Sequence, residues 1–226
     1  DHQAVLGPLA GATIRAYRLT DLRTPIEGPF KANNSETMDA SGSFDLELSG
    51  IPDDEWILVT ATGGWDVDAN DDEIIDVEPV RNYGTLHGLA KAGQWRQGGV
   101  KLNALTDIAW RYSRAWVGQA SIAELEKRLR QIARTLLVEK IQGRGEIEFS
   151  DLLAFIPSQD SQELSFAYQD LLSSGGYIPK VHSGSGNAGI NSALDDLFGA
   201  HLSFVLPDTL ESEVQVRLSG FGRGRV

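Results

Sequence analysis

The residues best suited to chemistry lie together between Asp66 and Pro79, in the acidic stretch DVDANDDEIIDVEP. Seven of the thirteen residues from 66 to 78 are acidic. Like charges at this density repel one another and favour an unfolded chain. A strand-like run, EWILVTA, comes before the stretch, and a Gly-rich run that leads into amphipathic helices comes after it. A bound cation would explain how the chain stays folded between them.

The spacing of oxygen-bearing residues in the acidic stretch is typical of a calcium loop. With Asp68 as position 1, Asn70, Asp72 and Asp76 take positions 3, 5 and 9. Alternate side chains of a tight loop can converge on one Ca²⁺ ion, which takes about six to eight oxygen ligands. The backbone carbonyl of Ile74, at position 7, is a further expected ligand. The pattern resembles the loops of EF-hands, dockerins and thrombospondin type 3 repeats.

Two features leave the ligand set open. Asp66 or Glu78 could complete the shell, and Asp66 is the first choice. Position 6 is normally Gly because the chain turns sharply there, but here it is Glu73, for which a left-handed conformation is costly. The loop is therefore expected to be looser than the standard one, or to use another register. The alternative interpretation is a solvated acidic loop without an ion.

Charge is distributed unevenly along the 226 residues, whose formal net charge is −12. Residues 1–82 contain 17 acidic and 5 basic residues, whereas residues 83–226 contain 15 of each. This asymmetry favours two units of different character. Nucleic-acid binding requires a basic face, so no nucleic-acid partner is expected.

The absence of cysteine excludes a disulfide framework and a thiolate metal site. No apolar run approaches the ~18 residues of a membrane span. The sequence begins DHQAVLGP, so any signal peptide is expected to lie outside it.

Residues 1–82 have the pattern of an antiparallel β-sandwich that ends in the acidic stretch. Strand-like runs occupy residues 12–19 (ATIRAYRL), 40–50 (ASGSFDLELSG) and 55–64 (EWILVTATGG). In the second run, Phe44, Leu46 and Leu48 alternate with acidic residues. Clusters of Gly, Pro, Asn and Asp separate the runs, as in small sandwiches.

Residues 83–206 have the periodicity of a small helical bundle. One helix is expected in LTDIAWRYSRAW and another in SIAELEKRLRQIARTLLVEKI, where Ser121 and Glu124 have capping-box spacing. The stripe of the second helix comprises Ile122, Leu125, Leu129, Ile132 and Leu136. Ser150 is expected to cap a helix in DLLAF, and further helices are expected near 164–172 and 190–198.

Residues 207–226 alternate and predict a C-terminal strand, or the start of a further β domain. The predicted fold class is therefore α+β, with an N-terminal antiparallel sandwich, a helical unit and this strand.

Five tryptophans raise the alternative of a sugar-binding platform. Trp110 and Trp116 fall in a helix, and Trp56 begins a strand, where packing in the core is expected. Trp65 and Trp95 flank the Gly-rich segment and are the pair predicted to be exposed.

No catalytic motif is recognisable, so the chain is predicted not to be an enzyme. The four histidines are scattered, and neither H-E-x-x-H nor G-x-S-x-G occurs. The G-x-G-x-x-G of residues 184–189 lacks the surrounding βαβ pattern of a dinucleotide site. A pocket that joins a histidine to two carboxylates would favour an enzyme, and His87 near the acidic stretch is the expected place.

Three short motifs carry a resemblance to a known module. They are Gly7–Ala12 (GPLAGA), Gly42–Phe44 (GSF) and Gly63–Gly64. They resemble the opening, the turn and the strand end of carboxypeptidase-regulatory-like modules. These are prealbumin-like β-sandwiches of bacterial secreted proteins, surface proteins and lipoproteins. The resemblance covers about the first third of the chain, and later runs such as AYQDLL and VQVRLSGFGRGRV resemble segments of similar surface proteins.

The resemblance implies an extracellular or bacterial cell-surface location. Together with the acidic stretch, it predicts a non-enzymatic structural, adhesive or ligand-displaying module of a larger bacterial surface protein. Calcium is the expected cofactor, and the expected partner is a surface protein or a glycan. The alternative is a carbohydrate-binding module of a secreted enzyme, which a shared exposed surface of Trp65 and Trp95 would favour.

Overall fold

A computed structural model of the chain describes residues 1–69, 72–114, 117, 121–137 and 148–154. These residues form an α+β arrangement of small sheets and a few helices. The strands are β1 (His2–Ala4), β2 (Leu9–Ala10), β3 (Thr13–Arg18), β4 (Glu27–Lys31), β5 (Ser43–Phe44), β6 (Trp56–Thr62), β7 (Trp65–Asp66), β8 (Val80–Arg81), β9 (Thr85–Lys91) and β10 (Lys101–Leu102). The helices are α1 (Ala92–Gln97), α2 (Ala104–Ser113), α3 (Ile122–Leu137) and α4 (Phe149–Ala154).

The four-stranded sheet has the order β4–β3–β6–β9, and every neighbouring pair in it is antiparallel. Its central strand β6 reads WILVTAT and is buried at every position except the last. A short, nearly continuous apolar run of this kind is typical of a strand with both faces covered. The two three-stranded sheets have the orders β10–β1–β5 and β2–β7–β8.

Helix α2 begins at a well-formed cap. The side chain of Asn103 accepts a hydrogen bond from the Thr106 N–H at 2.9 Å, and the Thr106 hydroxyl accepts one from the Asn103 N–H at 3.0 Å. This reciprocal arrangement satisfies two donors that a helix start leaves unpaired. The cap fixes where α2 starts, and α2 packs against β9.

The apolar side chains of the sheets and helices form one hydrophobic cluster within the described residues. The rings of Trp56 in β6 and Phe149 in α4 lie 6.4 Å apart, and the Lys91 ammonium lies 2.5 Å from Glu126 in α3. β9 follows residue 82 in the chain and pairs with β6 along its whole length. The division at residue 82 and the unit boundaries at 206 and 207 stay predictions.

Two of the predicted strands are confirmed, and the third is wrong beyond its start. β3 and β6 lie within the runs 12–19 and 55–64. In the run 40–50, Leu46 and Leu48 are buried as predicted, but β5 ends at Phe44. The Glu27 carboxylate accepts the N–H groups of Glu47 and Leu48 at 3.0 and 2.9 Å. Leu48 also has φ 45°. A side chain thus replaces the neighbouring strand as the hydrogen-bond partner.

The helix predictions are confirmed in position and corrected in detail. In α3, Leu125 and Leu129 are buried, but Ile122 is 60% exposed because it lies in the first turn, ahead of the packed part of the helix. Ser121 accepts the Glu124 N–H at 3.3 Å, as the capping spacing predicts. α4 begins one residue before Ser150, so that serine lies inside the helix. The sandwich stays a prediction, and the expected elements at 164–172, 190–198 and 207–226 lie outside the described residues.

Candidate functional site

The acidic stretch connects two strands of the β2–β7–β8 sheet. Trp65 lies opposite Ala10 and Arg81, whereas Asp66 lies opposite Leu9 and Val80. Side chains of paired residues share one face of a sheet, and successive residues alternate between faces. Leu9 and Asp66 are fully buried, so their face is the inner one.

Asp66 is buried where β7 ends, and backbone N–H groups surround its carboxylate. Gly7 donates to its Oδ2 at 3.2 Å, and Asp68 donates to its Oδ1 at 3.1 Å. A Cβ at position 7 would overlap Oδ1 of Asp66. Gly7, part of the GPLAGA motif, is therefore needed for this close approach of the backbone.

Asp68 is also buried, and it organises the start of the loop. Its two carboxylate oxygens accept the N–H groups of Asp72 and Glu73, each at 3.1 Å. Burial is the largest cause that raises the pKa of Asp68, and the charges of Asp72 and Asp76 raise it further. The two backbone hydrogen bonds act in the opposite direction. Asp68 therefore lies where a negative charge is costly.

The sharp turn of the loop occurs at Glu73, which has φ 66°. This is position 6, where a calcium loop normally has Gly. The chain therefore adopts the left-handed conformation there in spite of its cost for a residue with a Cβ. Asp76 closes the loop, since its carboxylate accepts the Ala69 N–H at 2.8 Å and its own N–H donates to the Val67 carbonyl at 2.7 Å.

The predicted calcium ligands are only partly gathered in the described residues. Asp66, Asp68, Asp72 and Asp76 all lie on this loop, but Asn70 is not among the described residues. No three acidic or histidine side chains in the described part of the chain converge closely enough to hold a metal ion. Each of the four carboxylates instead accepts at least one hydrogen bond from the surrounding backbone. The Asp72 carboxylate accepts one from the Ile74 N–H at 2.9 Å.

The donor chemistry of the loop nevertheless suits calcium. A carboxylate has about four lone-pair sites, so oxygens that already accept one hydrogen bond can also bind a cation. The set consists of oxygens, which a hard cation prefers. The calcium site remains a prediction.

The predicted tryptophan pair does not share a surface. Trp65 is 49% exposed, whereas Trp95 is 1% exposed and donates its indole N–H to the Ile57 carbonyl at 3.2 Å. Helix α1 places Trp95 in the core, where its ring meets His2 edge-on at 4.9 Å. The exposed neighbours of Trp65 are instead Arg81 and Tyr83.

Sequence reasoning missed Arg81 and Tyr83 because their link to Trp65 depends on strand register. The Arg81 guanidinium carbon lies 5.9 Å from the Trp65 ring centroid and 5.0 Å from that of Tyr83. At these distances a cation is attracted to an aromatic ring face. The only sequence signal is that Arg81 and Tyr83 are two residues apart and so share a face of an extended chain.

Asn82 is a buried clamp between the two strands. Its Nδ2 donates to the carbonyls of Gly63 and Gly84 at 2.9 and 3.2 Å, and its Oδ1 accepts the Gly84 N–H at 2.9 Å. Gly63 and Gly64 both have positive φ, and a Cβ at Gly64 would lie 2.9 Å from backbone atoms. Asn82 thereby fixes where β7 starts and where β8 ends.

We expect Asn82→Ala to lower the free energy of unfolding by about 2–3 kcal/mol, because it leaves buried backbone groups without partners. Urea unfolding measures this change. Asn34→Ala is the matched control, since Asn34 is exposed and its loss should change stability by less than about 0.5 kcal/mol. Equal changes in the two variants would show that the clamp contributes nothing.

His87 pairs with Asp107 of α2 and not with the acidic stretch, so the expectation of a pocket that joins His87 to that stretch is wrong. Its Nδ1 lies 2.5 Å from Oδ1 of the fully buried Asp107, and its ring stacks on Trp110 at 6.0 Å. In the part of the chain that is described, His87 makes no hydrogen bond to a hydroxyl nucleophile or to a second carboxylate. The pair joins β9 to α2.

Comparison of the chain with protein-family models, curated proteins and solved structures finds no match. The resemblance to carboxypeptidase-regulatory-like modules therefore stays a prediction. Among the described residues, no helix has the length and apolar character needed to cross a membrane.

Proposed function

We propose that this chain is a non-enzymatic structural module of a larger bacterial surface protein, which displays a ligand-binding or adhesive surface. Calcium bound by the acidic stretch stabilises the module. An extracellular or cell-surface location suits this role, because a weak site of the extracellular class, with a Kd of about 10⁻⁴–10⁻³ M, is filled by calcium outside cells.

The observation that carries the proposal is the burial of two aspartates in one acidic loop. Asp66 and Asp68 are buried, and burial raises the pKa of Asp68 with help from the charges of Asp72 and Asp76. Backbone hydrogen bonds offset part of the cost of these buried like charges, and a cation would offset more of it. The carboxylates of Asp68, Asp72 and Asp76 would hold the ion, with the Ile74 carbonyl, Asn70 and Asp66 as further ligands. Calcium would supply positive charge and cross-link the loop.

The polar clusters of the described residues join strands and helices to one another, which supports a structural role. Asn82 joins two strands, and the Asp107 carboxylate joins α2 to β9 through His87. Backbone amides occupy the carboxylates of the acidic loop. These contacts position elements of the fold.

The second candidate function is a carbohydrate-binding module of a secreted enzyme. The pairing of Trp65 with Trp95 no longer supports it, because Trp95 is buried. The exposed row of Trp65, Arg81 and Tyr83 favours sugar binding on a different surface.

Thermal unfolding in calcium, in magnesium and in a chelator tests the calcium proposal. If Kd is about 10⁻⁴ M, then 10 mM calcium stabilises the fold by about 2.7 kcal/mol. For a chain of this size, we expect the melting temperature to rise by about 5 °C or more. Magnesium should give less, since it demands a tighter octahedral shell and keeps its waters.

Two variants distinguish a calcium site from general charge screening. Asp72→Ala removes the carboxylate oxygens of one expected ligand, together with the hydrogen bond that one of them accepts from the Ile74 N–H. Asp54→Ala is the matched control and removes one exposed negative charge outside the loop. The calcium effect should disappear in the first variant and persist in the second. A calcium effect of equal size in both, or none in the unaltered chain, would contradict the proposal.

A further inference from the structure

The outer face of the β2–β7–β8 sheet carries a row of three exposed side chains, Trp65, Arg81 and Tyr83, which we name the aromatic row. Trp65 is 49% and Tyr83 68% exposed, and Arg81 is also exposed. Exposed apolar side chains that lie together indicate a binding site more often than those scattered singly over a surface. In the described residues, Ile74 and Val77 of the adjoining loop are exposed as well.

Strand register and the contacts of Arg81 bring the aromatic row together. Trp65 is paired with Arg81, so these two side chains share a face of the sheet. Tyr83 follows the end of β8, and its ring centroid lies 5.0 Å from the Arg81 guanidinium carbon. Asn82, between the last two, is buried and bound to the backbone of Gly63 and Gly84. The hydrogen bonds of Asn82 therefore fix the backbone that carries the aromatic row, and ligand binding there requires little further ordering of the backbone.

Arg81 is oriented within the row yet has no ionic partner in the described part of the chain. Its guanidinium lies over both aromatic rings and forms no salt bridge with the many nearby acidic residues. A guanidinium has five N–H donors in a fixed plane. These donors are available to oxygens of a ligand that stacks on the ring faces that the guanidinium does not cover.

We propose that the aromatic row binds a neutral oligosaccharide. The C–H face of a pyranose ring carries slight positive charge and is attracted to the negative face of an aromatic ring. Hydroxyl oxygens of the sugar would accept hydrogen bonds from Arg81. The exposed acidic residues of the neighbouring loop, Asp72, Glu73 and Glu78, disfavour an anionic sugar.

The size of the aromatic row suits a sugar chain better than a protein. A stable protein interface typically uses about 20–30 residues and ~800 Å² on each side, whereas the row consists of three side chains. The inference rests on the ligand-displaying part of the proposed function, and it is independent of calcium because none of the three residues is an expected ligand.

Calorimetric titration of the 226-residue chain with cellohexaose, mannohexaose and hexagalacturonate tests the inference. We expect at least one of the two neutral sugars to bind with a Kd below about 1 mM and the anionic sugar to bind at least about tenfold more weakly. Trp65→Ala and Tyr83→Ala should each weaken binding by about tenfold or more. Tyr83→Phe keeps the ring and should stay within about threefold of the unaltered chain.

Leu22→Ala serves as the control, because Leu22 is an exposed apolar residue outside the row and its loss should leave sugar binding unchanged. Failure of both neutral sugars to bind with a Kd below about 1 mM would overturn the inference. So would undiminished binding in Trp65→Ala and Tyr83→Ala, or tighter binding of hexagalacturonate. Self-association that is lost in Trp65→Ala, without sugar binding, would identify the row as a protein interface instead.

The titrations are repeated in calcium and in chelator, so that the two proposals can fail separately. Sugar binding without a calcium effect on unfolding would support the sugar-binding proposal and contradict the calcium proposal. A calcium effect on unfolding without sugar binding would support the calcium proposal and contradict the sugar-binding proposal.

Discussion

Trp95→Ala should lower the free energy of unfolding by about 3–5 kcal/mol, the range for truncating a buried tryptophan. Trp95 is 1% exposed and packs edge-on against His2 at 4.9 Å. The substitution opens a cavity next to β9, where a Cβ at Gly88 would already lie 3.3 Å from the Trp95 ring. It also leaves the Ile57 carbonyl without the indole N–H at 3.2 Å. Urea unfolding followed by far-UV circular dichroism measures the change.

The same substitution at Trp65 is the matched control. Trp65 is half exposed, so Trp65→Ala should change the free energy of unfolding by less than about 1 kcal/mol. A larger loss of stability for Trp65→Ala than for Trp95→Ala would contradict the assignment of one tryptophan to the core and the other to the surface.

Acid should destabilise the fold through His2. Burial is the largest cause that lowers the pKa of His2 from 6.5 to about 4. Hydrogen bonding to the Trp95 backbone and the charge of Asp45 act in the opposite direction, whereas the N-terminal amine and Lys101 lower it further. In the described residues, its Nδ1 is buried without a hydrogen-bond partner. The fold therefore favours the neutral ring, which packs between Phe44 and Trp95.

The direction of the pH effect follows from proton uptake. Between pH 6.5 and about 4 the unfolded chain binds a proton at His2 that the folded chain does not, so stability falls as the pH falls through this window. Below the folded pKa both states are protonated and the loss is complete, at about 3 kcal/mol. The raised pKa of Asp68 acts in the opposite sense, because a carboxyl that is more easily protonated when folded stabilises the fold in acid.

Comparison with His2→Phe isolates the histidine, because the contribution of Asp68 is common to both proteins. Urea unfolding at intervals between pH 7 and pH 4 should show that the variant gains relative stability as the pH falls. A constant difference between the two proteins across this range would show that His2 is not the titrating group.

Local periodicity was enough to predict the central strand and the longer helices. β6 has a nearly unbroken apolar run, and α3 repeats its buried leucines every four residues. These signals depend on residues close together in the chain. The hydrogen-bond partners of these elements can lie far away in the chain, and the predictions that depended on such partners failed. Leu48 is buried as its alternation predicts, but its N–H binds Glu27, twenty-one residues earlier.

The candidate site shows the same division between local and distant information. The spacing of the aspartates predicts converging carboxylates, which the described residues do not show, and it marks position 6 as the turn, where Glu73 has positive φ. The cross-strand pairing of Trp65 with Arg81 could not be predicted from the sequence, because it depends on the strand register that the Asn82 hydrogen bonds fix. Trp95 lies in a Gly-rich run that looks exposed in sequence. Only its contacts with β6 and His2 show that it is buried.

Calorimetric titration of calcium into the 226-residue chain at pH 7, after removal of bound metal with a chelator, tests the calcium-stabilised module most directly. The account predicts a saturable heat with a Kd of about 10⁻³ M or tighter, which is lost in Asp72→Ala and kept in Asp54→Ala. No saturable heat in the unaltered chain, or an unchanged heat in Asp72→Ala, would show that the backbone amides alone hold the acidic loop.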